Sequence, residues 1–125
     1  MDWEPILEAR LWDKIIAAEG RMNPQIFRLW EAIKINPEKW THKTYGKPSG
    51  GFWVVAIIGN RVIWFNDNED GFNCSSYVVV GKFTEYFCNQ DELERAVQHV
   101  LTIIETGSDS FGRASAPIAG EWKPG

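Results

Sequence analysis

The sequence predicts an α+β protein in which an antiparallel four-stranded meander, built from two consecutive hairpins, is packed by three helices. Apolar residues recur at helical spacing in the first third of the chain and again near residue 100. Two β-branched and aromatic runs lie between these segments, and a glycine-containing turn divides each run. The predicted order is α-α-β-β-β-β-α, followed by a C-terminal tail.

The first two helices are predicted from their spacing and from the residues at their ends. Apolar residues recur at steps of three and four over residues 3–19, and Gly20 is a typical C-terminal stop. The second helix begins at Asn23 and Pro24, a capping residue followed by proline at the first helical position. It ends before Pro37, because proline disfavours a helical conformation in the residue before it. We expect these two helices to pack as a hairpin.

The first β-hairpin is apolar on both of its faces. Residues 52–58 and 61–66 flank a Gly-Asn turn, so opposed residue numbers should sum to 119. An antiparallel sheet with one solvated face alternates apolar and polar residues, so both faces of this hairpin must be covered. The predicted faces hold Trp53, Val55, Ile57, Val62 and Trp64 on one side, and Phe52, Val54, Ala56, Ile63 and Phe65 on the other.

Two arrangements would cover this hairpin. In the first, the helices cover one face, and the face with Trp53 and Trp64 is closed incompletely and meets a partner or a second copy in a homodimer. Tryptophan is enriched at interface hot spots, which is why this pair is selected as a binding surface. In the second arrangement, the chain's own helices and tail enclose both faces as ordinary core.

The second hairpin is predicted from another β-branched run. Residues 72–80 and 83–88 flank a Gly-Lys turn, with opposed residue numbers summing to 163. This register would place Tyr77 opposite Tyr86, and residue 78 opposite residue 85.

A third helix completes the predicted domain. Asn89 is a typical cap, and the helix that follows has the clearest amphipathic stripe in the sequence and ends at Gly107. Residues 1–107 are therefore expected to form a single α+β domain. Residues 108–125 are small, polar and rich in proline and glycine, and we expect a flexible C-terminal tail.

The charge of the chain favours a protein partner over nucleic acid. Its 125 residues carry 13 Lys and Arg against 17 Asp and Glu, whereas a nucleic-acid-binding domain normally presents a basic face. Six carboxylates and a single lysine lie between residues 67 and 92. Asp67, Glu69 and Asp70, in the turn between the hairpins, would suit a basic protein partner, although acidic residues often serve solubility alone.

One segment has the opposite charge. Residues 39–47 contain three lysines and no acidic residue, and Trp40 and Tyr45 lie between the lysines. Interleaved cations and aromatic rings can bind single-stranded nucleic acid, or an anionic patch on a protein. The alternative is a surface loop whose Trp40 packs into the core. Trp40 and Lys43 are candidate binding residues on this basis.

The sequence contains no motif for catalysis or metal binding. Residues 66–71 resemble part of a calcium loop, but Tyr77 stands where the bidentate glutamate is required. Cys74 and Cys88 should point to opposite faces of the second hairpin and remain thiols. We therefore expect no metal and no cofactor, and a binding protein rather than an enzyme.

The predicted function is a small non-catalytic protein-binding module that occludes a basic partner, as an immunity protein does. The chain starts without a secretory signal pattern and has no apolar run approaching about 18 residues. We therefore expect a cytoplasmic location and no membrane partner. The alternative is a small enzyme or ligand-binding domain with an aromatic pocket between sheet and helices, lined by Trp53, Trp64 and Tyr77.

Overall fold

The protein is α+β, as predicted, but its sheet is five-stranded and mixed rather than a four-stranded antiparallel meander. The computed structural model describes residues 6–42, 50–83 and 85–107, so the expected tail lies outside the described residues. In these ranges, none of the helices is both long and apolar enough to cross a bilayer. The elements are α1 (Glu8–Arg21), α2 (Pro24–Ile33), β1 (Lys34–His42), β2 (Phe52–Ile58), β3 (Arg61–Asn66), β4 (Gly71–Ser76), β5 (Lys82–Phe83) and α3 (Leu93–Thr106).

The ends of the helices follow most of the local signals. The Asn23 side chain caps α2 by accepting a hydrogen bond of 2.8 Å from the backbone N–H of Ile26. α3 stops at Gly107, whose φ of 71° is a left-handed conformation that glycine adopts readily. Gly20 does not stop α1, which continues to Arg21. A helical glycine costs only about 1 kcal/mol, and the packing of α1 outweighs it.

Residues 34–42 are where the sequence prediction is wrong. The sequence pattern places them at the end of α2 and in a loop, but they form β1, which pairs antiparallel with β2. The register shifts between Lys34 and Glu38, on either side of Pro37. Proline is tolerated here because this part of β1 is bulged and lies beyond the short pairing with β5. Trp40 consequently lies in a strand.

A bulge in β2 changes which tryptophans share a face of the sheet. The predicted pairing with β3 holds next to the turn, but the register shifts between Val54 and Ala56. Trp64 then lies opposite Val54, and Phe65 lies opposite Trp53. A bulge inserts one residue into a strand, so the side chains beyond it point to the other face. The prediction that Trp53 and Trp64 share a face is therefore wrong.

The second predicted hairpin forms only in part. β4 pairs with β3, but the chain then crosses to the opposite edge of the sheet, where β5 pairs in parallel with the end of β1. A tight turn bridged by Val79 and Lys82 precedes this pairing. The predicted pair of Tyr77 with Tyr86 does not form between the described strands, because the second half of the run joins β1 instead. The pairing of residues 78 and 85 is lost for the same reason.

Residues 85–91, here called the return segment, run back along β4 and are held mainly by side chains. One backbone bridge, Phe72 with Asp91, matches the predicted sum of 163. Asn73 and Asn89 exchange two hydrogen bonds, of 3.1 and 2.9 Å, so Asn89 anchors this segment instead of capping α3. A side chain at Gly71 would collide with the backbone of the return segment, so glycine permits the close approach.

Two apolar clusters occupy the two faces of the sheet. The helix-side core packs the three helices against residues such as Val55, Ile63 and Phe65. The cluster on the other face, here called the aromatic core, is closed by side chains from β5 and the return segment. The chain therefore encloses both faces itself, and the expected incomplete closure of the Trp64 face is wrong. The aromatic core consists of Trp40, Phe52, Val54, Val62, Trp64, Phe83 and Tyr86.

Candidate functional site

The three acidic residues predicted to contact a partner, Asp67, Glu69 and Asp70, lie at one end of the sheet, in the turn between β3 and β4. The bridge between β4 and the return segment brings residues 91 and 92 beside this turn, although they follow it by some 20 positions in the sequence. We call this group the acidic end, and its members are Asp67, Glu69, Asp70, Asp91 and Glu92.

Exposed ion pairs with α1 offset part of the charge at the acidic end. Lys14 Nζ lies 3.2 Å from Asp70, and Arg21 Nη2 lies 3.0 Å from Glu92. The side chains of Asp70 and Glu92 nevertheless remain 76% and 71% exposed. Such solvent-exposed pairs contribute little to stability, so cations from another molecule can replace them readily. The two carboxylates therefore face solvent in exchangeable pairs.

Arg21 also joins α1 to the first turn of α3. Its guanidinium hydrogen-bonds to Glu94 as well as to Glu92. Burial alone would raise the pKa of Glu94, but the hydrogen bond and charge of Arg21 outweigh burial, and the pKa lies below its ordinary value. The pKa of Arg21 is raised correspondingly, mainly by its hydrogen bond with Glu94. This pair therefore favours the ionised form of both groups.

Asp67 differs from Asp70 and Glu92 because its carboxylate is partly buried. Its Oδ2 accepts a hydrogen bond of 3.1 Å from the backbone N–H of Ile6. Burial raises the pKa of Asp67, while this hydrogen bond and the charge of Lys39 oppose the rise. Asp67 thus ties the segment before α1 to the β3–β4 turn, and its carboxylate is less available to a partner than those of the exposed acidic residues.

The aromatic residues predicted to line a pocket fill space inside the protein. Trp64 is fully buried, and its Nε1 donates a hydrogen bond of 2.9 Å to Ser75 Oγ. Trp40 is 1% exposed, in agreement with the core interpretation of that residue. Tyr77 meets the Trp40 ring edge-on, with ring centroids 5.0 Å apart, and donates to the Gly59 carbonyl oxygen. These side chains close the aromatic core, and Trp53 lies on the other face.

Trp53 keeps some exposure at the margin of the helix-side core. Lys39 lies opposite it on β1, and Lys39 Nζ is 5.3 Å from the centroid of the Trp53 ring. This distance is within the range of a cation–π interaction. Trp53 therefore lies on the helix side of the central strand β2, on the opposite face of the sheet from Trp64. Lys43 lies outside the described residues.

The two cysteines lie on opposite faces of the sheet, as predicted. Cys74 belongs to the helix-side core, and Cys88 packs at the margin of the aromatic core. The described residues contain no disulfide. Burial, followed by the nearby charge of Glu69, raises the pKa of Cys88 and disfavours its reactive thiolate.

A small polar cavity lies where β4, the return segment and α3 meet. Cys74 and His99 line it together with Asn73, Asn89 and Asp91. A thiol, an imidazole and a carboxylate can cooperate in nucleophilic catalysis, but here the thiol and the imidazole are both buried. The cavity measures about 10 Å³, which is room for about one water molecule and not for a substrate. Sequence reasoning missed this site because its residues come from three separate segments.

Sequence reasoning also missed an exposed apolar surface. Val78, Val79 and Val80 are 90%, 58% and 71% exposed, and we call them the valine tip. They occupy the crossing between β4 and β5, where the Lys82 N–H donates to the Val79 carbonyl oxygen at 3.0 Å. Consecutive exposed apolar residues are typical of interaction sites. The available signal was the Gly-Lys turn beside the valines, but a valine run more often indicates a buried strand.

No family model matches the chain, and searches of the curated proteins and of the solved structures returned no match.

Proposed function

We propose that this protein is a small non-catalytic protein-binding module that occludes a basic partner, in the manner of an immunity protein. The acidic end carries the proposal, because two segments distant in sequence present carboxylates to solvent at one place. Complementary charge steers a partner to such a surface and fixes its orientation. Exchange of the exposed pairs with Lys14 and Arg21 would make these carboxylates available to the partner.

The valine tip supports a protein as the partner. Protein interfaces combine an apolar centre with a polar rim, and the tip supplies apolar surface that charge alone does not explain. The tip follows β4, and the acidic end precedes it, so the two surfaces are separated by about the length of six strand residues, or roughly 20 Å. A standard interface of about 800 Å² per partner is wide enough to include both.

The remaining parts of the functional hypothesis follow from the same surfaces. A homodimer through Trp64 has no support, because that side chain is core, so a different protein is the preferred partner. The net charge of −4 makes nucleic acid an unfavourable partner. We further propose a cytoplasmic location, where Cys74 and Cys88 would remain reduced.

The proposal can be tested by affinity capture from the source organism with matched variants. The test variant, Asp70→Asn with Glu92→Gln, removes two exposed charges from the acidic end. The control, Glu31→Gln with Glu105→Gln, removes two exposed charges elsewhere. We expect the wild type and the control to retain the same basic protein, identified by mass spectrometry, and the test variant to lose it.

Equal capture of that protein by both variants would contradict a role for the acidic end. If every retained protein were acidic, the basic-partner proposal would be wrong. Stabilisation of the wild type by a metabolite in a thermal-shift screen would instead support the ligand-binding alternative.

A further inference from the structure

A groove runs along the outer face of α1, between that helix and the start of α3. It has a volume of about 430 Å³, and its α1 wall extends from Arg10 to Arg21, or roughly 16 Å along the helix. Ala17 lies within this wall, and its small side chain leaves room between the charged groups on either side. We call this space the α1 groove, and it is lined by Arg10, Asp13, Lys14, Ala17, Arg21 and Glu92.

The α1 groove carries both signs of charge, unlike the turn between β3 and β4. Three cations and two carboxylates line it, and Lys14 brings in Asp70 of the acidic end through their ion pair of 3.2 Å. The charges at this place therefore balance. A partner surface that presented cations alone would meet as many like charges as opposite ones, and juxtaposed like charges oppose binding. Charge complementarity at the groove thus requires a partner with both signs.

The cations of the groove differ in how firmly they are paired. Arg21 is held by Glu94 as well as by Glu92, so it keeps a partner when Glu92 is released. Lys14 is 39% exposed and its pair with Asp70 exchanges readily. Arg10 is exposed and forms no ion pair with the part of the chain that the structure describes. Lys14 follows Arg10 by four residues on the helix, so the two side chains lie on one face and can bind one carboxylate together.

We infer that the α1 groove accepts a partner segment that carries a basic and an acidic side chain together. The basic side chain replaces Lys14 at Asp70, and the acidic side chain binds the released Lys14 together with Arg10. This exchange keeps every charge paired, whereas a purely basic segment leaves Lys14 beside the cations of the partner. The inference rests on the proposed function, because it specifies the surface of the basic partner that the acidic end selects.

Two synthetic peptides of equal length test the inference in nitrogen-15 NMR titrations at physiological ionic strength. Lysine is the only charged residue in the first peptide, and lysines alternate with glutamates in the second. We expect the mixed peptide to bind the wild type more tightly and to shift the amide signals of α1 and of Glu92. Arg10→Gln should weaken its binding about two- to fivefold, as for an exposed charge pair, and should strengthen binding of the lysine-only peptide by removing a like charge.

The matched control is Arg28→Gln, which removes an exposed arginine of α2 outside the groove and should leave the affinity for the mixed peptide unchanged. Tighter binding of the lysine-only peptide by the wild type would overturn the inference, and so would equal effects of Arg10→Gln and Arg28→Gln on the mixed peptide. Binding of neither peptide would also overturn it, but would leave the proposed function standing, because affinity capture tests that function with whole proteins. If the mixed peptide binds as expected and capture retains no basic protein, the proposed function fails and the charge preference of the groove stands.

Discussion

The two faces of the sheet are covered by different kinds of structure, helices on one face and largely irregular backbone on the other. On the helix side, α1, α2 and α3 supply mainly aliphatic side chains, and each helix satisfies most of its own backbone hydrogen bonds. On the other face, residues 77–83 and 85–91 cover the aromatic core with little regular structure. Backbone groups that lie in such an irregular cover need hydrogen-bond partners from elsewhere.

Buried polar residues of β3 and β4 supply those partners. Asn66 Nδ2 donates to the carbonyl oxygen of Phe87 at 3.0 Å, and Ser75 Oγ donates to that of Glu85 at 3.0 Å. Asn73 serves the return segment in the same way. Polar side chains in these strands therefore lie where a segment without regular secondary structure covers the sheet. A covering helix does not need them, because its backbone groups bond to one another.

The largest expected effect is at the centre of the aromatic core. Trp64→Ala should lower the free energy of unfolding by about 3–5 kcal/mol, because the side chain is fully buried and leaves a cavity. Trp53→Ala is the matched control, and it should have a smaller effect because Trp53 is partly exposed. Urea unfolding of both variants measures the difference. Equal losses, or loss of self-association in light scattering without loss of stability, would contradict the assignment of Trp64 to the core.

Ser75→Ala tests whether side chains hold the irregular cover. It removes the group that links Trp64 Nε1 to the return segment, and leaves a buried donor without that partner. We expect a loss of about 1–3 kcal/mol in the free energy of unfolding. Ser76→Ala is the comparison variant: it removes a hydrogen bond of 2.8 Å from Ser76 Oγ to the Glu85 carboxylate, and it should lose less because Ser76 is only partly buried. A larger loss for Ser76→Ala would show that the cover is held mainly through the side chain of Glu85 and not through its backbone carbonyl.

Asp67→Asn should stabilise the protein slightly at neutral pH. The raised pKa of Asp67 means that its ionised form is disfavoured in the folded state. The introduced amide would retain an acceptor for the Ile6 N–H without that penalty. The gain should be about 0.5 kcal/mol or less, because solvent screens the half-buried carboxylate. It should disappear as the pH falls through the folded-state pKa towards 3.8, as urea unfolding at pH 7 and in acid would show. A gain that persists in acid would assign the effect to packing.

The smallest effect, of opposite pH dependence, is expected for Glu94→Gln. The pKa of Glu94 is lowered in the folded protein, so its ionisation stabilises the fold above the ordinary pKa of 4.5. Glu94→Gln should therefore be slightly less stable than the wild type at pH 7, and the difference should vanish as the pH falls through the folded-state pKa. The same urea series measures it, and 1 M salt should reduce it at pH 7. A difference that is independent of pH would contradict the pairing with Arg21.

Local signals predicted the elements whose stability is decided locally. The cap at Asn23, the stop at Gly107 and the turn between β2 and β3 all follow from short sequence patterns. β1 did not follow, because its Pro37 is typical of a helix stop and its pairing with β2 depends on contacts across the sheet. The position of β5 in the sheet is likewise set by its pairing with β1, which no local sequence pattern predicts.

The candidate site also combines features that the local sequence predicts with features that depend on tertiary contacts. The charge of residues 67–70 and their place in a turn are visible in the sequence, but the arrival of Glu92 beside them depends on the return segment. The polar cavity required three segments to meet, and the exposure of the valine tip required the chain to leave β4 for the far edge of the sheet.

The bulge in β2 interrupts the alternation of side chains along the strand. Odd-numbered residues therefore face the helix side before the bulge and the aromatic core after it. Removal of Val55 alone would join Val54 to Ala56, which already lie opposite Trp64 and Ile63, so it would close the bulge and leave the other side chains of β2 on their present faces. Insertion of one further residue beside Val55 would instead turn over the part of β2 before it relative to β3. Trp53 would then enter the aromatic core, while Phe52 and Val54 would move to the helix side. One inserted residue here exchanges the contents of two cores, whereas an insertion at the exposed turn of residues 59–60 alters only the loop. We therefore expect an insertion-tolerance scan to find a sharp boundary between these two positions, although they lie only a few residues apart.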